Sequence, residues 1–328
     1  MKSNLTIVMY HYVRDLARSR YPGIKGLELA QFKEQLRYIK KHYTPISAYE
    51  LMDATESDAK LPPNAALLSF DDAYAEHFTH VFPILDENKI SGCFFPPAKC
   101  ILENLVLDVN KIHFILASVE DIRILVEFIN NSLEELRGSH NLRSNDFYWK
   151  ECAVANRWDP AEINFVKRML QRDLPEDVRG KITDTLFTRF VASDEEAFSN
   201  ELYMNTDQIA CLQRNGMYVG SHGHNHYWLN AMSEEEQRNE INLSLRFLDS
   251  IGSDPSRWIM CYPYGAYNES TISILEENNC RAALTTSVGI AEIGKDHPMK
   301  LPRLDTNDLP IDSRSGASDW TLKGMRNG

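Results

Sequence analysis

Apolar and polar residues alternate along this chain with two periods, and each period predicts a different element. Short apolar runs that stop abruptly at polar residues predict buried strands at 6–10, 67–70, 92–96, 218–219, 258–262 and 282–285. Stretches with apolar residues at helical spacing predict helices at 29–42, 74–87, 205–215, 233–248 and 269–278. We expect Thr206 to cap the third of these helices, and Ser233 and Glu236 to form a capping box on the fourth. The alternation of strands and helices is typical of parallel βα units.

The pattern changes between about residues 99 and 202, where glycine nearly vanishes. Helical periodicity with charged faces covers 119–136, 161–174 and 193–202. This predicts a helical insertion at 101–200 between two α/β segments, 1–100 and 201–310, which are followed by a tail at 311–328.

Composition and charge exclude several classes of protein. With 328 residues, 43% of them hydrophobic, the chain can bury a sizeable core. Its 35 Lys and Arg against 47 Asp and Glu give a formal net charge of -12, which opposes non-specific binding to nucleic acid or to an anionic membrane. No apolar run is long enough to form a transmembrane segment, and the first apolar stretch is too short for a signal peptide. We therefore expect a cytoplasmic protein in which most of the six scattered cysteines are buried thiols.

Two polar segments, each directly after an apolar strand, carry the residues of a catalytic metal site. The first ends in Asp71 and Asp72, and the second contains His222, His224 and His226. The outer histidines are four residues apart, so both imidazoles can face one ion, and Asp72 can complete a three-ligand site with open positions for water. Zn²⁺ suits this set, and Fe²⁺, Co²⁺ or Ni²⁺ would accept it. His224 leaves the tract ambiguous, because it can replace an outer histidine, support a ligand or face solvent. The alternative for the two aspartates is a helix cap.

Three short motifs, in matching order, resemble those of the polysaccharide deacetylase family, also called the NodB-homology family or carbohydrate esterase family 4. They are Ser-Phe-Asp-Asp at 69–72, Gly-Ser-His-x-x-x-His at 220–226 and Tyr-Pro-Tyr-Gly at 262–265. The resemblance covers roughly 1–100 and 200–310, and it implies an α/β fold, a distorted (β/α) barrel, here with the helical insertion. Family members remove N- or O-acyl groups from sugars with a divalent metal, often zinc.

The resemblance also implies a role for each matching residue. Asp71 would be the catalytic base, and Asp72, His222 and His226 would be the metal ligands. Tyr264 would lend its backbone N–H to the oxyanion hole. This division of catalytic roles is chemically sound. A metal polarises the acyl carbonyl and lowers the pKa of its bound water, while a neighbouring carboxylate takes the proton of that water.

Two departures from the family pattern shift roles to other residues. Most members take the proton for the leaving group from a histidine in a Leu-x-His motif near the C-terminus, which this chain lacks. Residues 8–11 instead resemble the permuted arrangement of poly-N-acetylglucosamine deacetylases, which makes His11 the expected acid; the alternative is a histidine that only hydrogen-bonds locally. Cys261 stands where the third motif usually has an Arg that pairs with the base. We expect Arg303 to reach Asp71 from a later strand.

Smaller departures leave the expected metal ligands in place. Ala73 replaces the usual Gly of the first motif, and Gly223 and Tyr227 replace a hydroxyl residue and a proline of the second. Several aromatic residues near the motifs can either stack on sugar faces or belong to the core: Tyr74, Tyr227, Trp228, Tyr262, Tyr267 and Trp320.

The sequence therefore predicts a metal-dependent, zinc-using hydrolase that removes an N-acyl group, acetyl or formyl, from a sugar or glycan precursor. Without an export signal, a nucleotide- or lipid-linked precursor in surface polysaccharide biosynthesis is the expected partner. One alternative is a non-catalytic glycan-binding or assembly protein on the same barrel, motivated by Cys261 and the missing C-terminal histidine. Another is an unrelated metal hydrolase such as an amidohydrolase or a phosphoesterase.

Overall fold

The structure, a computed structural model, describes residues 3–57, 59–156 and 159–325. Within these residues the main sheet contains seven mutually parallel strands, in the spatial order β4-β3-β2-β1-β7-β6-β5. Their bounds are Ser3–Tyr10 (β1), Ala65–Asp71 (β2), Gly92–Phe95 (β3), Tyr218–Val219 (β4), Trp258–Cys261 (β5), Cys280–Val288 (β6) and Leu301–Asp305 (β7).

The sheet curves until its two edge strands meet. Ser221, directly after β4, forms a parallel bridge with Met260 of β5. Its N–H donates to the carbonyl of Ile259 at 3.1 Å, and its own carbonyl accepts from the N–H of Cys261 at 2.8 Å. The strands are buried on both faces, as parallel sheets require, and every residue of β2 and β5 is buried. The predicted distorted (β/α) barrel is confirmed.

Short strands extend this framework. Thr44–Pro45 runs parallel beside β2, Ala291–Ile293 runs antiparallel to β1, and Val13–Arg14 pairs with Leu27–Glu28.

The chain divides into two compact units, of which the first contains the barrel and comprises 1–15, 26–104 and 200–328. Its described α-helices are Leu29–His42, Ala48–Glu56, Phe82–Glu87, Ala98–Glu103, Thr206–Arg214, Glu234–Ser250, Glu269–Glu277 and Asp319–Met325. Single turns of 3₁₀-helix lie at Leu229–Ala231, Pro263–Gly265, Pro298–Lys300 and Thr306–Asp308, and a π-helical turn lies at His77–Val81. The last residues of the predicted tail, 326–328, lie outside the described residues.

Three local predictions in this unit are confirmed and one is wrong. The helix at 29–42 and the capping box of Ser233 and Glu236 are present. Thr206 is not the N-cap: it is the first residue of the helix, and the side chain of Asn205 before it accepts the N–H of Gln208. The helix expected over 74–87 is present from Ala75, with a π-helical turn at His77–Val81 and the α-helix Phe82–Glu87, and it follows the left-handed backbones of Asp72 and Ala73, with φ of 72° and 55°.

The second unit comprises 16–25 and 105–199 and is helical. Its described α-helices are Asp108–Ser118, Arg123–Leu136, Asn145–Cys152, Ala161–Arg168 and Glu176–Phe190, with a 3₁₀ turn at Leu16–Arg18 and a π-helical turn at Met169–Asp173. The boundary between the units after Ser199 falls within the helix Glu195–Leu202. Tyr21 belongs to it through an edge-on contact with Phe114, at 4.9 Å between ring centroids. The amine of buried Lys111 pairs with Asp184 at 2.6 Å and with Glu195 at 2.9 Å. Among the helices of the described ranges, none combines the length and the apolar character of a membrane span.

Candidate active site

The two aspartates at the end of β2 face different neighbours. Asp71 is the last residue of the strand, and Asp72 follows it with a left-handed backbone whose N–H donates to the carbonyl of Phe95 at 3.1 Å. A non-glycine residue in this conformation is strained, and two in succession mark a turn held by its surroundings. The turn separates the carboxylates, so that Asp71 faces Arg303 and Asp72 faces two histidines.

His222 and His226 lie on the loop that follows the bridge at Ser221. The Nδ1–H of His222 donates to the carbonyl of Cys261 at 2.7 Å, which directs Nε2 towards Asp72. The Nε2 atoms of both histidines lie 3.4 Å from Oδ1 of Asp72. The predicted ligand set, drawn from two segments about 150 residues apart in sequence, therefore converges on one point.

The residues at this point fit a divalent metal. All three side chains are buried, and their ligand atoms lie within 4.8 Å of one another. Oδ1 of Asp72 is buried without a hydrogen-bond partner in the described part of the chain, whereas Oδ2 accepts from the hydroxyl of Tyr74 at 2.7 Å. A buried carboxylate oxygen aimed at two imidazole nitrogens is costly unless a cation compensates it. Asp71, His222 and Cys261 meet the same spacing, but Asp71 is already paired with a guanidinium.

Burial and neighbouring charges set the protonation of these ligands. Burial alone would raise the pKa of Asp72, but the histidines outweigh it and hold that pKa well below its usual value. Burial lowers the pKa of His226 to about 3, so its imidazole is neutral. Burial also opposes charge on His222, yet Cys261 and the carboxylate of Asp72 raise its pKa well above the usual value. The pocket therefore favours a positive charge between Asp72 and His222.

Arg303 pairs with Asp71 from β7. Its Nη1 lies 3.0 and 2.8 Å from the two carboxylate oxygens, and its Nε–H donates to the carbonyl of Thr285 at 2.7 Å. Burial would raise the pKa of Asp71, but Arg303, followed by His11 and His222, lowers it. The thiol of Cys261 lies 3.3 Å from Oδ2 of Asp71 and donates a weak hydrogen bond. The structure thus brings Arg303 to the position that the sequence analysis expected.

His11 also lies beside Asp71, and its side chain is partly open to solvent. Its Nε2 is 3.7 Å from Oδ2 of Asp71, and its side chain is 41% exposed. The backbone carbonyl of His11 lies 2.8 Å from Nε2 of His77, a fully buried residue. Burial lowers the pKa of His77 to about 4, so a neutral imidazole donates this hydrogen bond. His11 is therefore positioned through its backbone while its ring can reach a bound molecule.

Tyr264 and Trp228 form an aromatic pair beside the metal ligands. Tyr264 has a left-handed backbone, with φ of 57°, and its ring lies 4.7 Å from that of His226. Trp228 stacks on Tyr264 at 4.4 Å with 6° between the ring planes, and both rings are partly exposed. These two aromatic residues can present a flat face to a sugar.

The other aromatic candidates differ in exposure and position. Tyr74 and Tyr262 are fully buried, so they belong to the core, and Tyr267 stacks on Tyr262. Trp320 lies on the helix Asp319–Met325, whose Gly324 carbonyl accepts from Asn4 at the opposite end of β1. Tyr227 is partly exposed beside Trp228.

Two residues of this region differ in importance from what the sequence indicates. His224 is absent from both ligand groups found among the described residues, and its ring is partly exposed. Glu240, which the sequence analysis missed, is buried and accepts the backbone N–H groups of His224 and Asn225. One signal was available, since Gln237, Glu240 and Ser244 follow the helical spacing of a buried stripe.

Comparison with known proteins gives matches in both sequence and structure. A family model described as polysaccharide deacetylase matches residues 181–283, a segment that contains His222, His226 and Tyr264 but neither Asp71 nor Asp72. The chain is 32% identical over 80 residues to the poly-beta-1,6-N-acetyl-D-glucosamine N-deacetylase of Escherichia coli K12, a match that covers 24% of this chain and 12% of that protein. A Bacillus subtilis relative is matched over 34% of its length, so the chain spans about a third of that relative and a smaller share of the Escherichia coli one.

Solved structures share the fold over nearly the whole chain. A Streptococcus pyogenes deacetylase, PplD, determined in complex with acetate, is similar with a TM-score of 0.59 and 15% identity over 100% of both chains. IcaB from Ammonifex degensii is similar with a TM-score of 0.54 and 18% identity, over 93% of this chain and 92% of that one. Identities this low show the fold alone. With the sequence matches, they confirm the resemblance to the polysaccharide deacetylase family.

Proposed function

We propose that this chain, which resembles the polysaccharide deacetylases in motifs, sequence match and fold, is a divalent-metal-dependent hydrolase of N-acylated sugars. It would remove an acetyl or formyl group from a sugar within a glycan or a glycan precursor. The observation that carries the proposal is the convergence of Asp72, His222 and His226 beside the ion pair of Asp71 and Arg303.

Asp72, His222 and His226 would hold the ion, and zinc is the metal that two imidazoles and a carboxylate favour. When bound, a divalent ion polarises the acyl carbonyl and acidifies the attacking water.

Asp71 is the proposed general base. Its carboxylate stays ionised because Arg303 lowers its pKa, and it has oxygen lone pairs to accept the proton of the attacking water. A positioned base of this kind contributes roughly 10²- to 10⁴-fold to the rate. Arg303 keeps the carboxylate in place through both oxygens and is itself fixed by Thr285.

His11 is the proposed general acid. Its exposed ring lies on the solvent side of Asp71, where it can protonate the nitrogen of the leaving amine as the carbon–nitrogen bond breaks. Tyr264 is the proposed oxyanion donor through its backbone N–H, a contribution of about 3 kcal/mol where such donors have been removed. The contact of its ring with His226 keeps this residue next to the metal ligands.

The first substrates to test are short oligomers of β-1,6-linked N-acetylglucosamine. The Escherichia coli relative is named for that polymer, and the stacked Trp228 and Tyr264 offer a flat aromatic surface for a sugar ring. A nucleotide- or lipid-linked precursor, a role in surface polysaccharide biosynthesis and a cytoplasmic location remain predictions from the sequence.

Acetate release from these oligomers tests the proposal. We expect release by the wild-type protein, abolition by a chelator and recovery with added Zn²⁺. Asp71→Asn should lower the rate by roughly 10²-fold or more, because an amide cannot act as the base. Asp249→Asn, an exposed change on the helix Glu234–Ser250, is the matched control. An Asp71→Asn protein that hydrolyses at the wild-type rate would rule out the mechanism.

A further inference from the structure

We infer that Glu240 is a positioning residue that holds the backbone of the His222–His226 loop in the geometry required for metal binding. The inference rests on the proposed function, since it assigns the ligands to a metal. The hydrogen bonds of Glu240 are to His224 and Asn225 and not to the two imidazoles or Asp72, so it would act through the loop.

The carboxylate of Glu240 accepts its hydrogen bonds from this loop. Its Oε1 accepts the backbone N–H of His224 at 2.8 Å and that of Asn225 at 2.5 Å, and its Oε2 accepts from the side-chain amide of Asn225 at 2.7 Å. Glu240 is 1% exposed, and none of the described Lys or Arg residues forms an ion pair with it. Burying a carboxylate without a cation costs free energy unless hydrogen bonds compensate it. Because all three donors come from one loop, we assign Glu240 the role of holding that loop.

The hydrogen-bonded groups are the ones between the two ligands. His224 and Asn225 lie between His222 and His226 in sequence, and the loop needs left-handed backbones at Gly223 and His226, with φ of 75° and 59°. Extended or right-handed alternatives would move the second imidazole away from Asp72. Glu240 fixes the two N–H groups that such a rearrangement would turn.

The opposite side of the loop is fixed by backbone contacts. The carbonyls of Gly223 and His224 accept the N–H groups of Ala98 and Lys99, at 3.1 and 3.0 Å. A Cβ atom added at Gly223 would lie 3.1 Å from Oε1 of Glu240, closer than most real contacts. The family motif usually has a hydroxyl residue at this position. The glycine of this chain therefore leaves room for the carboxylate of Glu240 to come close to the loop.

Three substitutions separate this role from a general contribution to folding. Glu240→Ala removes every hydrogen bond to the loop. Glu240→Gln keeps an acceptor oxygen for the two backbone N–H groups, and its amide can donate to the carbonyl oxygen of a rotated Asn225 side chain. Glu240→Asp keeps the charge but is one methylene shorter. Glu235→Ala, an exposed change on the same helix, is the control.

Two measurements on the full chain are needed. The first is amide hydrogen exchange of the 222–226 segment in metal-free protein, and the second is the affinity for Zn²⁺ by competition with a chelating dye, with the Co²⁺ absorption spectrum as a report on ligand geometry. For Glu240→Ala we expect exchange at least ~10-fold faster in this segment alone and Zn²⁺ affinity ~10- to 100-fold weaker, the usual loss when a group supporting a ligand is removed. Glu240→Gln should stay within ~3-fold of the wild type.

A folded Glu240→Ala protein with wild-type exchange in the segment and Zn²⁺ affinity within ~3-fold of the wild type would overturn the inference. If Glu240→Ala does not fold, Glu240→Asp decides: weaker Zn²⁺ binding and a changed Co²⁺ spectrum support the role, and unchanged values overturn it. Wild-type protein that binds no Zn²⁺ would contradict the proposed function instead. Hydrogen exchange in the metal-free variants still tests the role of Glu240 in that case.

Discussion

Arg303 reaches Asp71 from the last strand of the barrel, with its Nη1 3.0 and 2.8 Å from the two carboxylate oxygens. Both side chains are about 1% exposed, so neither charge is compensated by water. Removing one partner of such a buried pair typically costs about 3–5 kcal/mol, because the other charge is left uncompensated. The pair therefore stabilises the barrel only as a unit, and it keeps the proposed base ionised.

Arg303→Met should shift the pH dependence of activity. Without the guanidinium, burial acts on Asp71 with less opposition, so the pKa of Asp71 rises and the base becomes protonated at a higher pH. We therefore expect the acid limb of the pH–rate profile to move to higher pH, with a loss of roughly 100-fold at neutral pH. Arg314→Met, an 89% exposed arginine, is the control. An unchanged acid limb in the folded variant would contradict the assigned base.

Cys261→Ala should lower the activity much less than Arg303→Met does. The thiol donates only a weak hydrogen bond to Asp71, 3.3 Å from its oxygen, and burial raises the pKa of the thiol so that it stays neutral. We expect kcat/KM within roughly 10-fold of the wild type, a free-energy change of about 1.4 kcal/mol or less. A loss as large as that of Arg303→Met would mean that Cys261 has its own role at the base.

His11→Gln should impair amide hydrolysis more than hydrolysis of an activated ester. An amine must be protonated as it leaves, whereas a nitrophenolate leaves without help, so only the amide reaction needs an acid. We expect a loss of roughly 10²-fold or more for an N-acetylated sugar and less than roughly 10-fold for nitrophenyl acetate, both measured as initial rates. Equal losses for the two substrates would assign His11 to positioning of the base.

His226→Ala and His224→Ala form a matched pair on one loop. His226 is buried with its Nε2 3.4 Å from Asp72, whereas His224 belongs to neither ligand group among the described residues. We expect His226→Ala to lose at least ~100-fold in Zn²⁺ affinity and His224→Ala to stay within ~5-fold of the wild type, by dye competition. The reverse ranking would show that His224 is the ligand.

The barrel and the convergence of Asp72 with the two histidines were predictable because both follow from short sequence patterns. Apolar runs that end in Asp71-Asp72 and in the histidine tract place both segments at the carboxyl ends of parallel strands, and these ends meet at one edge of a sheet. Strand order brings Arg303 of β7 next to β1, two positions from Asp71 of β2. Because Cys261 stands where the third motif usually has an arginine, another arginine has to pair with Asp71, and this points to Arg303.

Other features depend on backbone conformation and tertiary contacts that no local pattern records. Asp72 and Ala73 adopt left-handed backbones in the turn between a strand and the predicted helix, although neither residue is a glycine. The spacing of Glu240 on its helix is compatible with burial, but the backbone N–H groups that its carboxylate accepts become evident only when the loop packs on that helix. Residues 16–25 group with 105–199, although nothing in their sequence distinguishes them from their neighbours.

The central claim is that Asp72, His222 and His226 bind one divalent cation. Diffraction from crystals grown with Zn²⁺, recorded on both sides of the zinc absorption edge, tests it directly. We predict a single strong anomalous peak between Oδ1 of Asp72 and the Nε2 atoms of the two histidines, at the usual zinc distances of about 2.0–2.2 Å. A peak held by other side chains, or no peak at these residues in zinc-saturated protein, would contradict the claim.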